Sequence, residues 1–108
     1  MTDRSGTDRL AEIMQAFDDE LPSKITEIIE QWHKYETSKT HNDLLAFSQL
    51  SHSLAGTAGT FNHDDVGDCA REIDMLVRTR LKNNELLDNG DVQKTVALLN
   101  TLSAMVKK

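Results

Sequence analysis

Apolar residues recur along the chain at three- and four-residue intervals, the period of amphipathic helices, and strand-like alternation is absent. The first run is Leu10, Met14, Phe17, Leu21, Ile25, Ile28 and Trp32, widened by Ile13 and Ile29. Thr7 can cap its start, which leaves residues 1–6 as a frayed beginning. Pro22 falls inside the run, where it removes a backbone bond and crowds the preceding turn. A kink or a break is expected there, and a kink fits better because the period resumes in phase. Residues 36–41 read as a polar linker. Thr40 or Asn42 then caps a second helix, whose inner stripe is Phe47, Leu50, Leu54, Ala58 and Phe61. It runs to about Phe61, where Asn62 suits a left-handed stop. Asp64 and Asp65 open a third helix, where negative charge favours the dipole. Its stripe is Val66, Cys69, Ala70, Ile73, Leu76, Val77 and Leu81. Asn83 to Gly90 reads as a loop ending in an Asn-Gly turn, and Asp91 caps a fourth helix with Val92, Val96, Leu99, Leu102 and Val106 inward. The short turn at Asn62 forces the second and third helices antiparallel. The pattern predicts an all-α, antiparallel up-down-up-down four-helix bundle, a single domain over residues 1–108.

Composition narrows what such a bundle does. The chain has 108 residues, 38% of them hydrophobic, which suits one core and not two. The net charge of −6, without a basic cluster, argues against nucleic acid and anionic membranes as partners. No run approaches the roughly 20 apolar residues of a membrane span. The polar start from Met1 to Leu10 does not resemble a signal peptide. The single Cys69 excludes an internal disulfide and fits a reducing compartment. A cytoplasmic monomer is expected.

The second helix carries the candidate chemistry. At about 100° per residue, His52 lies about 200° around from Leu54 and so faces solvent. Ala55, Gly56 and Gly59 follow it at i+3, i+4 and i+7, on the same side. Glycine inside a helix costs roughly 1 kcal/mol relative to alanine. A helix that carries two beside a histidine is expected to need the space. A neutral imidazole is a competent nucleophile towards a phosphoryl group. Neither a base–acid dyad nor a phosphate-cradling loop lies nearby in sequence. The helix offers an acceptor atom and clearance, and a partner is expected to complete the chemistry.

The stretch His52-Ser-Leu-Ala-Gly56-Thr-Ala-Gly-Thr-Phe-Asn62 resembles the signature of histidine-containing phosphotransfer (HPt) domains, His-x-Leu-Lys-Gly-Ser-Ala followed by an apolar residue and a glycine. The resemblance covers essentially the whole chain and implies a phosphorelay carrier of two-component signalling, without turnover of its own. It implies that His52 is phosphorylated, that Gly56 lets a receiver aspartate approach, and that Thr57 stands for the family's Ser. The implied partners are receiver domains of response regulators and hybrid sensor kinases. The Mg²⁺ belongs to the receiver, and no cofactor of the chain's own is implied. Ala55 and Asn62 depart from the pattern, which has Lys and Gly there. Arg71, Asp74 and Arg78 share what reads as an outward side of the third helix, beside His52. Asp74 is expected to accept a hydrogen bond from one ring nitrogen. Arg78 is expected to supply the charge that Ala55 lacks.

Two other functions fit less of the sequence. A degenerate module that binds receivers without carrying phosphate would explain Ala55. An enzyme would require a second catalytic group or a metal triad, and no suitable spacing is present. His33, His41 and His63 read as inert, the cluster of His63, Asp64, Asp65 and Asp68 as helix capping, and Cys69 as core.

Overall fold

A computed structural model describes the backbone of residues 5–106 and the side chains of residues 9–106. Four helices account for it: α1 (Ser5–Ser38), α2 (His41–Thr60), α3 (Asp64–Lys82) and α4 (Asn89–Val106), with no strand among the described residues. Each helix packs on two others, in the ring order α1, α2, α3, α4, while among the described residues the diagonal pairs make no close backbone approach. Along α1 and α2 the contacts run in opposite order. Phe17 stacks on Phe61 at 4.7 Å, and Trp32 meets Phe47 at 5.2 Å. The core is built from the inner stripes of all four helices, with Ile28, Tyr35, Leu44, Phe47, Ile73 and Leu102 among its largest fully enclosed side chains.

α1 is one helix of 34 residues with Pro22 inside it, so the chain does not divide there. Ser5 and Gly6 are already helical and Thr7 lies within α1, not at its start; the rest of the expected frayed start, residues 1–4, lies outside the described residues. At 1.5 Å per residue α1 is about 51 Å long, which gives the molecule its 60 Å long axis. It outreaches its neighbours. The expected stripe fails before Phe17: Leu10 is 57% and Ile13 46% exposed, because α2 ends beside Phe17 and, among the described residues, no helix continues along that face.

The connections are shorter than the pattern suggests. The linker expected at 36–41 shrinks to Lys39 and Thr40, with Lys39 at φ 53°. Thr40 caps α2 by accepting from the Asp43 N–H at 3.3 Å. The hydrogen bond from Ser38 holds the Asp43 carboxyl below its ordinary range. Asn62 ends α2 at φ 67°, and the His63 and Asn62 N–H groups return to the Ala58 and Gly59 carbonyls at 2.8 and 3.3 Å. That pair of bonds satisfies two orphaned carbonyls and turns the chain directly into α3. The start of α4 differs from expectation: Asp88, not Asp91, is the cap. Asp88 Oδ1 accepts from the Asp91 N–H at 2.8 Å, and Asp91 Oδ2 accepts from the Asp88 N–H at 3.2 Å. The reciprocal box draws Asn89 and Gly90 into the first helical turn. Val96, expected inward, is 37% exposed; Thr95 takes the buried position and turns its hydroxyl onto the Asp91 carbonyl.

Candidate functional site

α2 is gripped from both sides. Leu44, Phe47, Leu54 and Ala58 fill the core, and Ser48, Ser51 and Ala55 are buried as well. A narrow outer strip remains, with Gln49, His52, Ser53, Gly56, Gly59 and Thr60 exposed. The His52 side chain is 64% exposed. Ala55, expected on that strip, is instead buried at 5% because α3 covers it. Thr57 is partly exposed, its hydroxyl donating to the Ser53 carbonyl at 2.8 Å.

The glycines fall into two kinds. A Cβ added at Gly56 or Gly59 would meet nothing within 4 Å, and neither has a positive φ. Nothing inside the described fold therefore calls for glycine at these positions. At Gly67 on α3 a Cβ would sit 3.2 Å from the Ala55 carbonyl oxygen and 3.4 Å from the Gly59 nitrogen. That glycine lets α2 and α3 approach closely at the turn end of their seam. Sequence reasoning passed over it, although a glycine on a buried stripe is itself a signal of close backbone approach.

Farther along the seam α3 brings two side chains to His52. Asp74 Oδ2 lies 3.0 Å from Nδ1, and Arg78 Nη2 lies 2.9 Å from the same nitrogen. The guanidinium is also 2.9 Å from Asp74 Oδ2. As an N–H, Nδ1 donates to Asp74; as a bare lone pair, it accepts from Arg78. In both forms the ring is held from its Nδ1 side, and Nε2 makes no hydrogen bond among the described residues. Asp74 does not face outward as expected. It is 4% exposed, and its second oxygen accepts from the Ser48 hydroxyl at 2.8 Å. Arg78 is about half exposed; Arg71, the third member of that expected side, points away to Asp68 at 3.5 Å. Ser48 was not singled out by sequence, yet its position one turn before His52 on a buried face offered the clue.

The remaining candidates stay structural. His63 Nε2 bonds Asp18 of α1, and its ring lies 5.6 Å from that of Phe17. His33 pairs with Glu36 at 3.1 Å, and His41 begins α2. Cys69 is buried, with Sγ 3.3 Å from the Leu98 carbonyl, and burial pushes its thiol pKa up. Among the described residues no group of three or more His, Cys, Asp or Glu could hold a metal ion, and no helix is long and apolar enough to cross a membrane.

No curated protein and no solved structure matches the chain. The family model for the Hpt domain matches residues 9–108, essentially its whole length. The chain belongs to the Hpt domain family, the phosphotransfer carriers of two-component phosphorelays, which work with receiver domains.

Proposed function

We propose that His52 is the phosphoryl acceptor of this Hpt domain, taking the group from a receiver-domain aspartate and passing it to another receiver. The observation that carries the reading is an exposed imidazole anchored through Nδ1, with open space over Gly56 and Gly59 on the same strip. In this reading Nδ1 keeps its proton and donates to Asp74. The lone pair then resides on Nε2, on the open side. The Nε2–P bond forms as the bond from phosphorus to the aspartyl oxygen breaks, and the carboxylate leaves with the electron pair. The ring gains positive charge, which the Asp74 carboxylate 3.0 Å from Nδ1 offsets. Arg78 supplies the cation that Ala55 does not, since its guanidinium already lies beside the ring. A Mg²⁺ held by the receiver offsets charge on the transferring group, and this chain brings no cofactor of its own. Gly56 and Gly59 admit the receiver's aspartate, while Thr57 borders the strip. The contact is transient, the domain acts as a monomer in the cytoplasm, and it performs no turnover alone.

Incubation with a receiver domain carrying labelled phosphate tests the proposal. Acid-labile, alkali-stable label is expected on the wild type and not on His52→Gln. Binding to the receiver without any label would overturn it in favour of a receiver-binding module.

A further inference from the structure

We propose that Ser48 is a positioning residue for His52, acting through Asp74; this rests on the reading of His52 as the acceptor. The first observation is a contrast among the hydroxyls of α2. Ser51, Thr57 and Thr60 donate back to the carbonyls of Phe47, Ser53 and Gly56, at 3.0, 2.8 and 3.1 Å. Each stays within its own helix, the usual outlet for a mid-helix hydroxyl. Ser48 instead crosses to α3 and donates to Asp74 Oδ1 at 2.8 Å.

The second observation is register. Ser48 and His52 stand four residues apart, one above the other on α2. They meet the two oxygens of one carboxylate, Ser48 at Oδ1 and His52 at Oδ2. Both Ser48 and Asp74 are nearly enclosed, at 3% and 4% exposure, so water does not readily replace either partner. An ionised carboxylate only accepts hydrogen bonds. With Oδ1 fixed by Ser48, the carboxylate is held in the plane that turns Oδ2 toward Nδ1.

Arg78 makes that restraint matter. Its Nη2 already touches Oδ2 at 2.9 Å, four residues along the same helix. A carboxylate free to rotate can take the guanidinium through both oxygens, the favoured geometry for such pairs. Nδ1 would then lose its acceptor and keep only the Arg78 donor, which already lies 2.9 Å away. That contact favours a bare Nδ1 with the proton on Nε2, the nitrogen that must attack. Ser48 thus biases the ring toward its nucleophilic tautomer without touching the reacting atoms.

The test reads the proton directly. In histidine-¹⁵N-labelled protein, the His52 shifts report which ring nitrogen carries the proton, with no partner present. The expected result is Nδ1–H in the wild type, a shift toward Nε2–H in Ser48→Ala, and recovery in Ser48→Thr. Alanine keeps α2 intact, since it is the best helix former. Transfer from a phosphorylated receiver should slow about threefold to tenfold in Ser48→Ala, the scale of one lost hydrogen bond. On an Asp74→Ala background the same change should add nothing. An unchanged proton position in Ser48→Ala, or a slowing that persists without Asp74, overturns the proposal. Label on His52→Gln would sink the acceptor reading instead, leaving the proton shift, which is measured without phosphate, untouched.

Discussion

Among the described residues two histidines are paired with aspartates, and the pairs are built in opposite senses. At His52 the acid is enclosed and the imidazole stands out, with side-chain exposures of 6% and 64%. At His63 the imidazole is the more sheltered partner, at 30%, and Asp18 is the exposed one, at 48%. His52 is held through Nδ1, which leaves Nε2 without a hydrogen bond among the described residues; His63 uses Nε2 itself to bind Asp18 and rests against Phe17. Pairing alone therefore does not make an imidazole available. Which nitrogen is engaged, and which partner is enclosed, separates an offered ring from a tie between a turn and a helix.

The sharpest way to break that contrast is to remove each ring. His52→Gln should abolish acid-labile label while leaving thermal unfolding unchanged. His63→Gln should leave labelling intact and cost under about 1 kcal/mol, as expected of an exposed pair. Equal loss of label in both variants would erase the distinction. A second comparison sets the open glycines against the closed one. Gly56→Leu should slow transfer at least about tenfold by filling the space a partner uses, while folding stability is held or raised by up to about 1 kcal/mol. Gly67→Val should do the reverse, costing about 1–3 kcal/mol through overpacking against the Ala55 carbonyl. Transfer assays and urea unfolding of the same two proteins decide it.

A smaller effect is expected at Arg78. Arg78→Ala should change the transfer rate or the lifetime of the phosphorylated form by up to about tenfold, on the scale of one charge-assisted hydrogen bond at a half-exposed site. Unaltered rates and lifetime would leave the charge at Ala55 unmet by this residue. The least effect lies far from either histidine. The Asp43 carboxyl is held low by Ser38, and that of Asp88 by the Asp91 N–H. A carboxyl depressed in the folded state binds fewer protons there than in the unfolded chain. Its contribution is complete above the ordinary value of 3.8 and fades as pH falls below it. Urea midpoints should therefore drop on acidification, and less steeply in Asp88→Asn.

Much of this was legible in the sequence. The four helices, the left-handed stop at Asn62 and the exposure of His52 follow from period, propensity and the 100° step. So does the approach of the third helix to His52, once a short turn is granted. What sequence missed depends on neighbours. Ala55 shares a helical side with His52 but disappears under α3, because periodicity measures angle and not how closely the next helix approaches. Asp74 was placed outward for the same reason: a carboxylate reads as solvent-facing until a hydroxyl and an imidazole from another helix are found to meet it. Leu10 and Ile13 repeat the lesson in reverse, as their stripe is sound and the surface that would cover it is missing among the described residues.

The carboxylate beneath His52 has its donors in place before any partner arrives, and among the described residues no buried side-chain polar atom lacks a hydrogen-bond partner. Under the proposed role, the acceptor has no conformational gate of its own. Docking would not have to order the ring, so little of the encounter energy is lost to rearrangement. Every incoming receiver would then meet the same preset nucleophile. Discrimination among receivers would then fall to the surface around the ring, and kinetic control to association and release.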